Sequence, residues 1–112
     1  MSCLFCSIAA GDTPATVVHE TARTVAFRDL HPMAPTHVLV IPRDHFATAA
    51  ELAGADPAYA GEVLAAAAAV AQQEGLSSGY RLVANTGEDA GQTVHHAHIH
   101  VLGGRSMGWP PG

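Results

Sequence analysis

Hydrophobic and polar positions along the chain form short, regular runs, and their pattern predicts a sheet and one long helix. Runs rich in β-branched residues, bounded by Gly, Pro or charged residues, are typical of strands. Such runs predict five strands, at residues 16–20, 24–29, 37–42, 80–85 and 96–103. The first two lie close together, which favours a β-hairpin, and residues 4–11 predict a short helix or turn that ends at Gly11.

The long helix is predicted over residues 56–74, where alanine, the best helix former, dominates. Asp56 can cap its N-terminus, Pro57 suits its first turn and Gly75 follows its end. Strand-rich segments on both sides of one long helix predict an α+β fold with a mainly antiparallel sheet. The pattern contains no repeat, linker or charge block, so we expect a single domain over residues 1–112.

Composition narrows the classes of partner. The chain has 112 residues, of which 48% are hydrophobic, and a formal net charge of -5 without any lysine. Its arginines are scattered and form no basic stripe, which excludes duplex nucleic acid but leaves a single small nucleotide possible. No apolar run reaches the ~18 residues of a membrane span, and the N-terminus does not resemble a secretory signal. We therefore expect a cytoplasmic protein that does not enter membranes.

Four histidines lie within residues 95–100, at the start of the last predicted strand. Alternate side chains of a strand share a face, so His96, His98 and His100 form one imidazole surface while the apolar residues between them face the core. Two kinds of chemistry fit this surface. The imidazoles could hold a catalytic zinc with an open fourth position, or one neutral imidazole could attack phosphorus while its neighbours move protons. His95 receives no role.

Cys3 and Cys6 form a C-x-x-C pair near the N-terminus. In a reducing compartment such a pair favours metal binding or redox chemistry over a structural disulfide. A thioredoxin-like role requires a preceding strand, which the pattern does not predict, and a structural zinc requires two further ligands.

Four segments of the chain together resemble one known family. They read TVAFRDLHPMAPTHVLVIPRDH, YRLVANTG, GQTVHHAHIHVLGG and the terminal GGRSMGWPPG. Nearly the whole chain thereby resembles the histidine-triad (HIT) superfamily, and in particular its Hint branch of histidine-triad nucleotide-binding proteins. The resemblance implies a single HIT domain over residues 1–112, with a HIT-like fold of five mainly antiparallel strands, one long helix and one short helix. It also implies that the sheet extends across a homodimer.

The same resemblance implies a reaction. The Hint branch binds purine nucleoside monophosphates and hydrolyses nucleoside 5'-phosphoramidates and related bonds through a nucleotidyl-histidine intermediate. By position, His98 corresponds to the nucleophile, and His100 and His37 complete the imidazole network around it. Thr93 corresponds to the residue whose hydroxyl assists the leaving group. A neutral imidazole suits this role because it forms a labile bond to phosphorus that water can break.

Further positions match the nucleotide-binding residues of the family. Those expected around the purine are Phe5, Ile8, Phe27 and Leu30, for which plain core packing is an equally good interpretation. Those expected at the phosphate are Asn85, Gly91, Gln92, Thr93 and Val94, together with His98 and His100. Asp29 would accept hydrogen bonds from the ribose hydroxyls. Trp109 resembles the tail residue that reaches the active site of the partner subunit.

Zinc-binding bacterial relatives supply a further expectation. They hold a structural zinc through a cysteine pair and two histidines, and this sequence has all four at Cys3, Cys6, His45 and His96. His96 would then be a ligand of the metal and not a catalytic base. No organic cofactor is expected. The alternative for the cysteines is that both thiols are reduced and simply packed in the core.

Three other functions stay open on the sequence. The chain could hydrolyse dinucleoside polyphosphates, as the Fhit branch does, although the GGRSMGWPPG ending favours the Hint branch. It could be a nucleotide-binding regulatory protein whose catalysis is vestigial. It could also be a zinc hydrolase whose catalytic metal is held by three histidines, in which case chelators would abolish its activity.

Overall fold

The strands form close to where the β-branched runs predict them. The computed structural model describes residues 3–112. Its strands are β1 (Val17–Glu20), β2 (Thr24–Arg28), β3 (Thr36–Pro42), β4 (Tyr80–Val83) and β5 (Ile99–Gly103). Its helices are α1 (Leu4–Ala9), α2 (Ala49–Ala55) and α3 (Pro57–Gln73), with a short 3₁₀ turn at Glu88–Ala90.

The five strands form one sheet in the order β1-β2-β3-β5-β4, and every neighbouring pair is antiparallel. The central strand β3 is buried at all its positions. Its register with β5 pairs Leu39 with His100 and His37 with Leu102, which puts these side chains on one face of the sheet. The α+β fold class and its mainly antiparallel sheet are confirmed.

Helix α3 covers the opposite face and provides half of the buried residues of the larger core. Asp56 caps it as predicted, since its side chain accepts a hydrogen bond from the Tyr59 backbone N–H, and Pro57 opens the first turn. The small side chains of alanine let the helix lie close to the strands. The buried residues of this layer include Val38, Val40, Val63, Ala67, Val70 and Val101. None of the helices within residues 3–112 is both long and apolar enough to cross a membrane.

A second short helix, α2, lies where no helix was predicted. Its seven residues are mostly alanine and glycine and show little hydrophobic period. A capping signal was nevertheless present in the sequence, because Thr48 is followed three residues later by Glu51. In the structure the Thr48 hydroxyl accepts a hydrogen bond from the Glu51 backbone N–H.

The last strand begins at Ile99, three residues later than predicted. The cause is a competing partner for the backbone, since the Ala97 N–H donates to the Phe46 carbonyl at 2.6 Å. His96 and His98 therefore lie in a segment just ahead of β5. The predicted alternation persists there, because Ala97 packs in the α3 core while both imidazoles contact Phe5 on the other face.

Candidate active site and metal centre

The side chain of Gln92 holds the segment that carries His96 and His98 in place. Gln92 is buried, and its amide group makes three hydrogen bonds with backbone groups. Its carbonyl oxygen accepts from the Gly87 N–H at 2.9 Å, while its NH₂ donates to the carbonyls of Ala47 and Val94. The sequence suggested only that this position lies in the phosphate loop. Its bracing role depends in part on the Ala47 carbonyl, which is distant in sequence, so no local pattern reveals it.

Four potential metal ligands converge beside α1. The Sγ atoms of Cys3 and Cys6 and the ring nitrogens of His45 and His96 all lie within 4.8 Å of one another. His96 Nδ1 is 3.5 Å from each sulfur, and His45 Nδ1 is 3.3 Å from the sulfur of Cys6. Cys3 caps α1 and Cys6 lies in its first turn, so the helix itself brings the two thiols together.

The hydrogen bonds of His96 fix which of its nitrogens can bind a metal. Its Nε2 lies 2.9 Å from the Pro42 carbonyl oxygen, which can only accept, so Nε2 carries the proton. Nδ1 is therefore unprotonated and faces the two sulfurs. This arrangement, in which the second ring nitrogen donates to a carbonyl, is typical of metal-bound histidine.

The electrostatics of the cluster also fit a cation. Burial lowers the pKa of the fully buried His96, and the Pro42 carbonyl only partly opposes this effect. The pKa of the Cys6 thiol is raised, first by burial and then by the neighbouring Cys3. Two adjacent thiolates repel each other unless a cation lies between them, so the donor set of two thiols and two imidazoles matches tetrahedral zinc.

A second row of imidazoles begins at His98. Its Nδ1 lies 2.7 Å from the His96 carbonyl oxygen, so Nδ1 carries the proton and the lone pair of the neutral ring is at Nε2. The rings of His98 and His100 are 5.0 Å apart, centre to centre. One residue thus serves two sites, because the ring of His96 faces the thiols while its backbone carbonyl orients His98.

His37 and His100 form a hydrogen-bonded pair whose protons can be assigned in the same way. The Met33 N–H donates to His37 Nδ1 at 3.0 Å, so the proton of the neutral His37 ring is on Nε2. That proton is donated to His100 Nδ1, 2.9 Å away. Burial lowers the pKa of His37, and burial followed by the charges of His98 and His37 lowers the pKa of His100 to about 4. Both rings are neutral at pH 7.

Asp29 lies beside this pair. Its Oδ1 accepts a hydrogen bond from the His31 N–H at 2.8 Å, and its Oδ2 is 3.4 Å from His37 Nε2. Asp29, His37 and His100 could by distance alone hold a metal. The proton assignment argues against it, because a metal on Nε2 of His37 would need Nδ1 protonated where the Met33 N–H already donates.

Phe5 connects the two imidazole sites with an apolar cluster. Its ring is 5.3 Å from that of Phe27 and 5.3 Å from that of His98, with edge-to-face geometry in both pairs. Ile8 and Val94 pack against the same cluster. Leu30, which was expected to join it, is 88% exposed and lies outside it.

The remaining predicted nucleotide-binding residues lie in loops. Asn85 is half-buried just beyond β4, and Thr93 is exposed in the loop that leads to His96. Gly91 has a left-handed backbone conformation with φ of 80°, which a side chain would disfavour. Trp109 is 83% exposed in the C-terminal tail, and His95 is exposed as well.

Comparisons with known proteins place this site in a family context. A family model described as HIT domain matches residues 10–107. The structure is similar to a HIT family hydrolase from Legionella pneumophila, with a TM-score of 0.94 and 52% identity, covering 99% of this chain and 100% of that one. It is also similar to a histidine triad nucleotide-binding protein from Candida albicans, with a TM-score of 0.84 and 32% identity, covering 97% and 83% of the two chains. A 14 kDa zinc-binding protein of Zea mays is 45% identical over 111 residues, which are 97% of this chain and 87% of the relative.

Proposed function

The chain belongs to the HIT domain family, and from this membership and the imidazole geometry we propose that it hydrolyses nucleoside 5'-phosphoramidates of purine nucleosides. One observation carries the proposal. The His96 carbonyl holds the proton of His98 on Nδ1, and this leaves the lone pair at Nε2 for attack on phosphorus. The similar protein from Legionella pneumophila is described as a hydrolase, which supports the class of reaction. The similar protein from Candida albicans is described as nucleotide-binding, which supports the class of ligand.

In the proposed mechanism, Nε2 of His98 attacks phosphorus and the bond between phosphorus and the leaving nitrogen breaks. The departing amine takes one proton, which the Thr93 hydroxyl relays from solvent. The imidazole ring of the resulting nucleotidyl-histidine carries a positive charge, and its Nδ1–H keeps its bond to the His96 carbonyl. Water then attacks the same phosphorus, the bond to Nε2 breaks, and the proton released from water balances the one taken by the amine. The product is a nucleoside monophosphate.

The imidazole pair has a supporting role in this scheme. His37 and His100 are neutral at pH 7, so they add no positive charge beside the nucleophile. His100 Nδ1 accepts the proton of His37, so its own proton lies on Nε2 and can be donated to a phosphate oxygen.

The nucleotide is proposed to bind across the face that carries these rings. Phe5, Ile8 and Phe27 would contact the purine, and Asp29 would accept hydrogen bonds from the ribose. Leu30 can take part only from its exposed position at the rim. The residues proposed at the phosphate are Asn85, Gly91, Gln92, Thr93 and Val94. For Gln92 the contribution is indirect, since its side chain and its backbone N–H both hold the loop in place. We further propose a cytoplasmic homodimer in which the partner's Trp109 borders the leaving-group pocket.

Zinc is proposed as a structural ion held by Cys3, Cys6, His45 and His96. The zinc-binding relative from Zea mays and the convergence of the four donor atoms support this. When bound, the ion would tie α1 to the loop after β3 and to the segment ahead of β5. The neighbouring hydrolytic steps would not use the His96 ring, because its Nδ1 lies beside the cysteine sulfurs and its Nε2 donates to the Pro42 carbonyl.

The proposal is tested by intact-protein mass spectrometry after brief mixing with adenosine 5'-phosphoramidate and an acid-free quench. Wild type is expected to gain one adenylyl group, and His98→Gly is expected to gain none and to lose turnover. Turnover that persists in His98→Gly would refute the nucleophile. Nucleotide binding without turnover in wild type would favour a regulatory binding protein. Diadenosine polyphosphate, assayed in parallel, is expected to be the poorer substrate; if it is the better one, the Fhit-like function is correct.

A further inference from the structure

The two oxygens of the Asp29 carboxylate face different partners. Oδ1 is anchored by the His31 backbone N–H at 2.8 Å, and Oδ2 points at the imidazole pair, 3.4 Å from His37 Nε2. The backbone of Asp29 is also fixed, because its N–H donates to the His37 carbonyl at 3.0 Å. The carboxylate is therefore a built part of the imidazole network and not a loosely placed surface charge.

We infer that Asp29 couples the sugar pocket to the His37–His100 pair, so that a bound ribose changes how tightly this pair holds protons. The inference rests on the proposed function, because it requires that a nucleotide sugar binds at this carboxylate. Asp29 acts in it as a positioning residue for the two imidazoles, in addition to its contact with the sugar.

The charges around the pair make the coupling effective. The groups within residues 3–112 whose charge acts on His37 or His100 are Asp29, His98 and the other member of the pair. Asp29 is the only anion among these, and it raises the pKa of both rings against the larger lowering caused by burial. Because the side chain of His37 is 5% exposed and that of Asp29 20%, solvent screens their interaction only in part.

Ribose competes for the same oxygen. The 2' and 3' hydroxyls of a sugar would donate hydrogen bonds to Oδ2, since Oδ1 is already held by His31. Such bonds draw negative charge away from the Nε2–H of His37, and the pair then holds a proton less tightly. A ribonucleotide is therefore expected to lower the basicity of the pair relative to a nucleotide without these hydroxyls.

The test is an NMR titration of the His37 and His100 imidazole nitrogens in the full-length protein purified with zinc. The two ligands are adenosine 5'-monophosphate and 2',3'-dideoxyadenosine 5'-monophosphate, which share the base and the phosphate and differ only in the hydroxyls. For wild type, the titration midpoint of His37 is expected to be lower with the ribonucleotide. Asp29→Asn is expected to lower the midpoint of the free protein and to abolish the difference between the ligands. Asp12→Asn, which removes an exposed carboxylate elsewhere, serves as the matched control.

A kinetic measurement separates positioning from folding. In Asp29→Asn the acidic limb of the plot of kcat against pH is expected to move to lower pH. The value of kcat is expected to fall on the order of tenfold, which is less than the roughly 10²–10⁴-fold rate increase contributed by a placed acid–base group. KM is expected to rise as well, because the single oxygen of asparagine stays with the His31 N–H and its NH₂ group cannot accept from the ribose. Equal midpoints for the two ligands in wild type, with both bound, would overturn the coupling and leave the proposed function standing. If neither ligand binds, the proposed function fails and the coupling with it.

Discussion

The hydroxyl group of Tyr59 offers a well-defined perturbation, because it connects helix α3 with the loop that carries His45. Tyr59 is 2% exposed, and its oxygen accepts from the Asp44 N–H at 3.2 Å. It lies within donating distance of the Arg23 carbonyl, at 2.8 Å, and of the Asp44 carboxylate, at 2.9 Å. Tyr59→Phe deletes these bonds and keeps the ring, its edge contact with Phe46 and its stacking under Arg23.

The expected loss follows from these partners. A neutral hydrogen bond contributes about 0.5–1.5 kcal/mol net and one to a charged group about 1.5–3 kcal/mol. The exposed Asp44 carboxylate can turn to water, whereas the two backbone groups are less able to do so. We expect the free energy of unfolding to fall by about 2 kcal/mol, which for a domain of this size lowers Tm by roughly 8 °C.

Urea unfolding followed by circular dichroism measures this change, with one m value (the dependence of the free energy of unfolding on urea concentration) fitted to all variants. Tyr80→Phe is the matched control, because Tyr80 is 43% exposed and its loss of a hydroxyl should cost little. Zinc affinity, measured by competition with a chromophoric chelator, should fall in Tyr59→Phe and not in Tyr80→Phe. If the two variants lose equal stability, the hydroxyl does not brace the loop and the reasoning is wrong.

Three further predictions concern metal, pH and backbone. A chelator should lower Tm by several degrees and leave part of the turnover, as calorimetry and a phosphoramidate assay would show; complete loss of turnover at unchanged Tm would contradict a structural ion. The folded-state pKa of His100, about 4, lies below its usual value. Between about pH 6.5 and 4 the unfolded chain therefore binds more protons than the folded chain, and the free energy of unfolding should fall as the pH drops through that window. His100→Gln should flatten this dependence in urea titrations, and an unchanged slope would refute it. Gly104→Ala should destabilise by about 1–3 kcal/mol, since Gly104 has φ of 88° and a Cβ would lie 2.8 Å from Pro35, whereas Gly108→Ala meets nothing within 4 Å and should be neutral in the same assay.

Much of the fold was predictable because local and tertiary preferences agree. The alanine-rich segment after Asp56 has a strong intrinsic preference for helix, and its cap and proline mark the start. Strand β3 is β-branched and buried on both faces. The start of β5 was not predictable, because the Ala97 N–H has a distant partner in Phe46 that outcompetes the ladder. The sequence pattern gave no sign of this late start, because the side chains continue to alternate between the two faces of the sheet through the irregular segment ahead of β5.

The candidate site shows the same division. The positions of the histidines and cysteines could be read from spacing and resemblance, and the structure brings the expected clusters together. The location of each proton could not, because it depends on carbonyl groups such as those of Pro42 and His96. Leu30 shows a further limit, since the sequence left purine contact and core packing equally open for it, and only the structure shows that it is exposed and outside the core.

His96 contacts the two clusters through different groups, its ring and its main-chain carbonyl, and this has a consequence for engineering. Its imidazole faces the thiols, but the group that orients His98 is its main-chain carbonyl, which every amino acid possesses. A cysteine at this position would therefore change the chemical softness of the donor set, and with it the preferred ion, while the peptide plane beside His98 stayed in place. Under the proposed function, substitutions at this one position should thus change metal selectivity without changing turnover.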